Sequence, residues 1–329
     1  QIQGWQVTSR FAGAVVAYPQ DADDIDLLVH RARATLDRAV LQKASALTYL
    51  AEEEETRHRQ LKIIASFEAA LSEDQFHLCF QPKITVQDGG VAEAEVLLRW
   101  IHPELGFIPP DEFILLAERS GNMQRITAWV LAQTVQQAAA WAAHGFNIKL
   151  AVNISAHDLM SLSLPAQILQ LLKEHGATGE MFTIEVTESA VLEDEKRAIE
   201  ALVRLKRMGI TLSIDDFGTG FSSLAQLKNL PVDELKIDKA FVLELDQSPD
   251  DLQIVRSTID LGHNLGLRIV AEGVENQRSF ELLRKYGCDK AQGYHFAKPL
   301  PALEFEQWCT SFNSMNNATV ESGQLKKHG

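Results

Sequence analysis

Glu95, Asn153, Glu185, Asp215, Asp216 and Glu272 each stand on, or at the end of, a short apolar segment, and Lys236 lies on another. One carboxylate in such a place ordinarily caps a loop. Several drawn to one site are different, because like charges a few ångströms apart repel and raise each other's pKa. They persist as anions only around something cationic. An all-oxygen set of Glu, Asn and Asp suits hard Mg²⁺ or Mn²⁺. A bend at the end of the Asp215 segment brings Asp215 and Asp216 to one side, where such a pair can flank two cations as in two-metal phosphoryl transfer. The pair leads into Phe217-Gly218-Thr219-Gly220-Phe221-Ser222-Ser223, whose glycines permit close approach to a ligand or movement as a lid. A helix-capping turn would account for one glycine and the serines, but not for the acidic pair. Gln81, Arg99 and Gln292 extend the polar set. None of the 10 histidines forms a H-x-x-x-H pair, so they read as surface or satisfied residues.

These residues need a frame. From Phe76 the chain is a relay of short apolar segments and amphipathic stretches. Eight strands are expected: Phe76–Val86, Val91–Trp100, Ile148–Asn153, Phe182–Val186, Ile210–Asp215, Glu234–Ile237, Leu267–Ala271 and Lys290–Phe296. Helical patterns between them include Ile126–His144, Leu164–His175, Glu193–Met208 and Leu252–Leu265. Alternating strands and helices imply parallel pairing, and eight strands imply an α/β fold closed as a (β/α)8 TIM-like barrel. Only Gln87, Asp88, Gly89 and Gly90 part the first two strands, too few for a parallel crossover. One strand of the barrel is therefore antiparallel, and Gln81 comes from the same mouth as the carboxylates.

Before the barrel, Val7–Tyr18 reads as a strand, and Ile25, Leu28, Val29, Ala32 and Leu36 recur at helical spacing behind Asp21 and Asp23. Tyr49–Arg59, with four glutamates from Glu52, reads as a charged connector into a helix from about Thr56 to Leu71. The expected division is residues 1–48, a connector and helix over 49–73, the barrel over 74–310, and a disordered tail from Ser311 to Gly329 dominated by Asn, Ser and Lys.

The 329 residues carry 31 basic and 45 acidic side chains, a formal charge of −14. Such a mean field repels phosphate and argues against nucleic acid or an anionic membrane as partner. A phosphate substrate would need local cations. Cys79, Cys288 and Cys309 are scattered without C-x-x-C spacing, which favours a reducing compartment, reads them as buried small hydrophobes and excludes a Cys-rich zinc site. No apolar run approaches a membrane span, and no signal-peptide layout opens the chain. With Gln1 in first place, the sequence reads as a piece of something longer, cytoplasmic, or the cytoplasmic part of a larger membrane-attached protein.

EVLLRW around Glu95, Asn153-Ile154-Ser155, Glu185-Val186-Thr187-Glu188, DDFGTGFSSL from Asp215, Lys236-Ile237-Asp238, AEGVE from Ala271 and QGYHFAKPLP from Gln292 resemble the EAL domain family of bacterial cyclic di-GMP phosphodiesterases. The resemblance runs from about Phe76 to Trp308 with the motifs in order. It implies a metal-dependent phosphodiesterase that opens cyclic di-GMP to linear pGpG, with two Mg²⁺ or Mn²⁺ ions and inhibition by Ca²⁺. Glu95, Asn153, Glu185 and Asp215 would ligate the first metal. Asp215 would be shared with a second, joined by Asp216 and Glu272. Lys236 would hold the attacking water or the phosphate, and Glu272 is the general-base candidate. Gln292 and Asp238 would order the site, and Glu188 would brace the glycine loop. Gln81, Arg99 and Gln292 would face the dinucleotide. Val96 stands where the family's name-giving motif has Ala, which implies a packing change rather than lost chemistry. The rival reading is a catalytically silent receptor that signals through protein partners, but such members have generally lost metal ligands. A homodimer through barrel helices is a further expectation of the family.

The stretch from Phe11 to Ala39 resembles the last strand and helix of a GGDEF domain. It keeps Ala32, Leu36 and Ala39 of that family's closing pattern and departs from it at Arg33, Thr35, Asp37 and Val40. Upstream GGDEF and sensor regions are thereby implied. The GGDEF loop itself is not in the chain, so no cyclase activity attaches to it.

Overall fold

A computed structural model describes residues 11–218 and 224–325. The chain divides into two compact units, residues 1–66 and 67–329, with the boundary inside the helix Ala51–Ser72. In the first unit, strands Ala14–Val15 and Leu47–Thr48 pair in parallel beside the helix Ile25–Leu41. Asp24 caps that helix by accepting a hydrogen bond from Leu27 N at 2.8 Å. Of the expected strand Val7–Tyr18, residues 7–10 lie outside the described residues, and only Ala14–Val15 is strand. The glutamate run is not a connector. It forms the opening turns of Ala51–Ser72, because Glu is a good helix former and acidic side chains suit the positive end of the helix dipole.

The second unit is a closed barrel. Its strands are β1 Phe76–Thr85, β2 Val91–His102, β3 Lys149–Asn153, β4 Phe182–Thr187, β5 Thr211–Phe217, β6 Glu234–Ile237, β7 Arg268–Ala271 and β8 Lys290–Gln292. β1 and β2 form the expected antiparallel hairpin, and every neighbouring pair from β2 to β8 is parallel. β8 returns antiparallel to β1 and closes the ring. Two short strands, Gly106–Ile108 and Leu300–Pro301, add to β2 and β1. β8 stops at Gln292 rather than Phe296: past it Phe296 N bonds the Gly293 carbonyl at 3.1 Å in a turn, and Gly293 lies against the Val274 backbone where any Cβ would collide. The expected helix Glu193–Met208 is found as Glu195–Lys206, capped by the Asp194 carboxylate, and a separate short helix, Glu188–Glu193, precedes it.

Alternation along the strands sorts residues to two faces. Phe80, Val96, Leu150, Val152, Ile184, Leu212, Ile214 and Leu235 belong to the continuous buried core, which includes residues of the surrounding helices. The opposite face carries Lys83 and Gln81, Glu93 and Glu95, Thr183 and Glu185, Ser213 and Asp215, Glu234 and Lys236, and Lys290 and Gln292. All of these are buried apart from Lys290, which is partly so. This interior is polar. It therefore has to be held by charge pairing instead of the branched apolar layers usual in such barrels.

The expected disordered tail meets a helix instead, Ala302–Leu325, with residues 326–329 outside the described set. Phe305 and Cys309 are buried, Phe312 stacks on Trp308 at 4.6 Å, and Ser311 and Ser314 bond the carbonyls one turn back. Those local bonds let hydroxyl side chains sit in a helix despite their composition. Cys288 is also buried, Cys79 is half-buried, and all three thiols are free.

Candidate active site

Lys236, on β6, is fully buried at the centre of the barrel mouth. Its Nζ lies 2.7 Å from Glu185 Oε2, 2.8 Å from Asp215 Oδ2, 2.6 Å from Glu272 Oε1 and 4.0 Å from Glu95 Oε1. Burial disfavours its charge, but these carboxylates outweigh that and hold its pKa well above the ordinary lysine range. Four carboxylates thus come from four different strands or strand ends to one ammonium.

The neighbours fix the rest. Asn153, exposed at the end of β3, donates from Nδ2 to Glu95 Oε1 at 2.7 Å. Gln292 donates from Nε2 to Glu95 Oε2 at 2.5 Å and to Gln81 Oε1 at 2.9 Å. Gln81 donates in turn to the Ala297 carbonyl at 3.1 Å. Asp216 takes a left-handed φ of +55°, the bend expected at the end of β5, and its N–H bonds Asp215 Oδ1 at 2.8 Å. Asp238 caps the following helical turn through Ala240 N at 2.8 Å, and a side-chain hydrogen bond joins it to Asp216. Glu188 accepts from Gly218 N at 3.3 Å, at the start of the glycine loop; Thr219–Ser223 lie outside the described residues. Gly273 has φ +71°, and a Cβ there would come within 2.7 Å of Lys239 Cβ, so glycine is required where the chain turns Glu272 into the mouth. Arg99 lines a cavity of about 270 Å³ beside the mouth, with Asn153, Ile154 and Thr187, while its Nη1 bonds the Leu98 carbonyl at 2.9 Å.

Among the described residues, all the site candidates singled out above lie at or beside this mouth. One neighbour was not anticipated. Lys83, fully buried on β1, donates to Glu93 Oε1 at 2.7 Å and to Glu185 Oε1. Its spacing of two from Gln81 was the available signal, since i and i+2 share a face of a strand.

The electrostatics of the mouth show a deficit of positive charge. Burial, then Asp215 and Glu95, push Glu272 up to about 8 against the pull of Lys236. Burial, then Asp215 and Asp238, push Asp216 up to about 6. Among the described residues no three acidic, imidazole or thiol groups are already spaced as a metal cage, because the carboxylates converge on the Lys236 ammonium. The donor set nonetheless fits hard divalent cations. It is all oxygen, it is short of counter-charge, and the buried Gln292 Oε1 at its edge has no hydrogen-bond partner.

One prediction follows from the raised Glu272. In metal-free protein the folded chain keeps that proton up to about pH 8, whereas the unfolded chain releases it near the ordinary glutamate value of 4.5. The parent chain therefore loses stability from this group as pH rises through that window, while Glu272→Gln does not titrate. Melting temperatures in chelator should show Glu272→Gln gaining on the parent between about pH 5 and 8. A difference independent of pH would contradict the assignment.

A family model described as "EAL domain" matches residues 64–299. The chain belongs to the EAL domain family. The chain is 35% identical over 289 residues to a cyclic di-GMP phosphodiesterase of Pseudomonas aeruginosa, covering 88% of this chain and 49% of that protein. It is 39% identical over 239 residues to the cyclic di-GMP phosphodiesterase PdeR of Escherichia coli, covering 73% of this chain and 36% of that one. The chain thus spans half or less of the length of these curated relatives. Among solved structures it is similar to the PaMucR phosphodiesterase in complex with c-di-GMP, at 39% identity and a TM-score of 0.72, over 74% of this chain and 99% of that one. The barrel architecture agrees with these neighbours.

Within the EAL domain, Val96 is buried in the core cluster on the face opposite Glu95. Val96→Ala should therefore leave turnover within a few-fold while lowering the melting temperature. A large gain in rate would show instead that Val96 tunes the site.

Proposed function

We propose that the chain is a phosphodiesterase that hydrolyses cyclic di-GMP to linear pGpG with two bound Mg²⁺ or Mn²⁺ ions. The observation that carries this reading is the convergence of Glu95, Glu185, Asp215 and Glu272 on one buried ammonium at the C-terminal mouth of the barrel. Phosphodiesterases of the family generally depend on metal. Glu95, Asn153, Glu185 and Asp215 would hold one ion, and Asp215, Asp216 and Glu272 the other. When bound, the ions supply a water that is nucleophilic at neutral pH and positive charge for the phosphate oxygens. Lys236 offers its ammonium to the attacking water or to the phosphate as negative charge develops. Glu272 accepts the water's proton at a carboxylate oxygen. Arg99, Gln81 and Gln292 orient the dinucleotide, Glu188 steadies the start of the glycine loop, and Asp238 holds Asp216. Local cations of this kind answer the problem a chain of charge −14 has with an anionic ligand.

Around this centre, we read residues 1–48 as the C-terminal remnant of a GGDEF-like domain and 49–73 as the link to the EAL domain. Ile25, Val29 and Leu41 are exposed on the helix of that first unit, in keeping with a piece of a larger αβ domain. Its neighbours in the whole protein would be GGDEF and sensor regions. A cytoplasmic setting is supported by three free thiols, and no helix among the described residues is long and apolar enough to cross a membrane. Pairing of two copies through barrel helices is proposed on family grounds.

Cyclic di-GMP incubated with the chain should disappear with Mg²⁺ or Mn²⁺, whereas Ca²⁺ should support binding with little hydrolysis, since its looser coordination misplaces the water. Tight binding with no turnover in any of these ions would make the chain a silent receptor instead. In the Ca²⁺ complex, Arg99→Ala should weaken affinity by about 1.5–3 kcal/mol, the worth of a charge-assisted phosphate contact. Calorimetry showing unchanged affinity would remove Arg99 from the nucleotide site.

A further inference from the structure

Below the mouth, the barrel interior holds a second set of charges to which the proposed mechanism gives no role. Lys83, Glu93 and Glu234 are completely buried, and Lys290 is nearly so. Lys290 Nζ lies 2.6 Å from Glu234 Oε1 and 3.0 Å from Glu93 Oε2. Glu93 Oε2 also accepts from Thr183 Oγ1 at 3.2 Å, and its Oε1 accepts from Lys83 at 2.7 Å. Burial opposes the charge on Glu93, but Lys83 and Lys290 prevail and bring its pKa down to about 2. The row is therefore a chain of alternating ions, Glu234, Lys290, Glu93, Lys83, Glu185 and Lys236, running from the floor of the barrel to its mouth.

Glu185 is the joint. Lys83 takes its Oε1 from below, and Lys236 takes its Oε2 from the mouth at 2.7 Å. Lys83 is itself held by Glu93, so the lower attachment is fixed to the floor, whereas Lys236 is shared among four carboxylates. We propose that Lys83 is a positioning residue: it pins Glu185 Oε1 toward the barrel floor and so leaves Oε2 as the one oxygen of Glu185 offered to a divalent cation. The inference rests on the metal-centre reading above. It also explains a cost that reading leaves open, since an ammonium next to a cation-binding carboxylate opposes the cation by simple charge repulsion. Its benefit must then be orientation. Groups that orient a metal ligand from behind are commonly worth 10–100-fold in metal affinity.

Repulsion and positioning predict opposite signs. Mn²⁺ binding is measured by calorimetry on the whole chain without nucleotide, for the parent, Lys83→Met and Glu93→Gln, with near-ultraviolet circular dichroism confirming the fold. Lys83→Met should weaken Mn²⁺ by tenfold or more. Glu93→Gln, which disturbs the same row but leaves the Lys83–Glu185 contact, should change affinity by less than threefold. If Lys83→Met does not fold, Lys83→Met/Glu93→Leu removes the buried pair together, a replacement that interiors often tolerate, and should show the same tenfold loss. Unchanged or tighter binding in the Lys83 variant, with the parent binding normally, overturns the positioning role and leaves the metal centre standing. Equal losses in Lys83→Met and Glu93→Gln reduce the row to a structural one and also overturn it. A parent chain that binds no Mn²⁺ overturns the metal reading, and this inference with it.

Discussion

Asp215→Ala should reduce cyclic di-GMP turnover by at least about 10³-fold while the protein still folds. Both carboxylate oxygens of Asp215 are engaged in the mouth: Oδ2 reaches Lys236 at 2.8 Å, and Oδ1 accepts the Asp216 N–H at 2.8 Å. In the proposed site it would also be the carboxylate that serves both ions. Its loss therefore removes charge stabilisation worth several kcal/mol, and each 1.36 kcal/mol is a factor of ten in rate. The side chain is near the mouth and 11% exposed, so truncation opens no deep cavity. The same substitution at Glu95, Asn153 or Glu185 should also abolish turnover, though Glu185→Ala additionally leaves the buried Lys83 with Glu93 as its one carboxylate within bonding distance and should cost stability. Initial rates with Mg²⁺ and melting curves, measured together, check this. Near-normal turnover by Asp215→Ala would remove the metal centre from the barrel mouth.

Glu272→Gln carries the second large effect, a fall in turnover of about 10²–10⁴-fold with nucleotide affinity retained. The amide keeps the shape and one acceptor oxygen but cannot take a proton from water. Lys236 would keep Glu185 and Asp215 as partners within 2.8 Å, so the mouth should hold together. Should Glu272 serve chiefly as a ligand of the second ion, metal affinity would fall as well and excess Mn²⁺ would restore part of the rate. If it only caps the loop beyond β7, melting temperature would change and rate would not. Rate, metal dependence and melting temperature of this one variant distinguish the three roles. A variant normal in all of them would exclude Glu272 from the mechanism.

Much of this frame was readable because each strand has its own punctuation. Gln87 to Gly90 could only be a hairpin turn, and the ladder from Phe76 paired with Trp100 bears that out. Glu234–Ile237 alternates charged and apolar residues at the period of a strand, and it has the expected bounds. Asn153 and Glu272 were readable because they stand at, or just past, a strand end. The floor was not, because Lys83, Glu93 and Lys290 sit inside strands, where a charged residue reads as solvent-facing until its partner across the barrel is known. Nothing local to Lys83 says that Glu185, 102 positions away, completes it. Helix bounds failed where tertiary contact or a cap outweighs composition. Asp194 caps the helix Glu195–Lys206 and sets its start past Glu193, and the stacked Trp308 and Phe312 carry a helix into a segment rich in Asn and Ser. The end of β8 was missed for a similar reason, since Gly293 has meaning only against the Val274 backbone.

The central claim is hydrolysis of cyclic di-GMP at the barrel mouth, and product analysis in ¹⁸O-labelled water with Mg²⁺ tests it most directly. Chromatography and mass spectrometry should find linear pGpG carrying one ¹⁸O in its new phosphate, formed by the parent chain and absent with Asp215→Ala. Cyclic di-GMP recovered intact, or pGpG formed equally by Asp215→Ala, would contradict it.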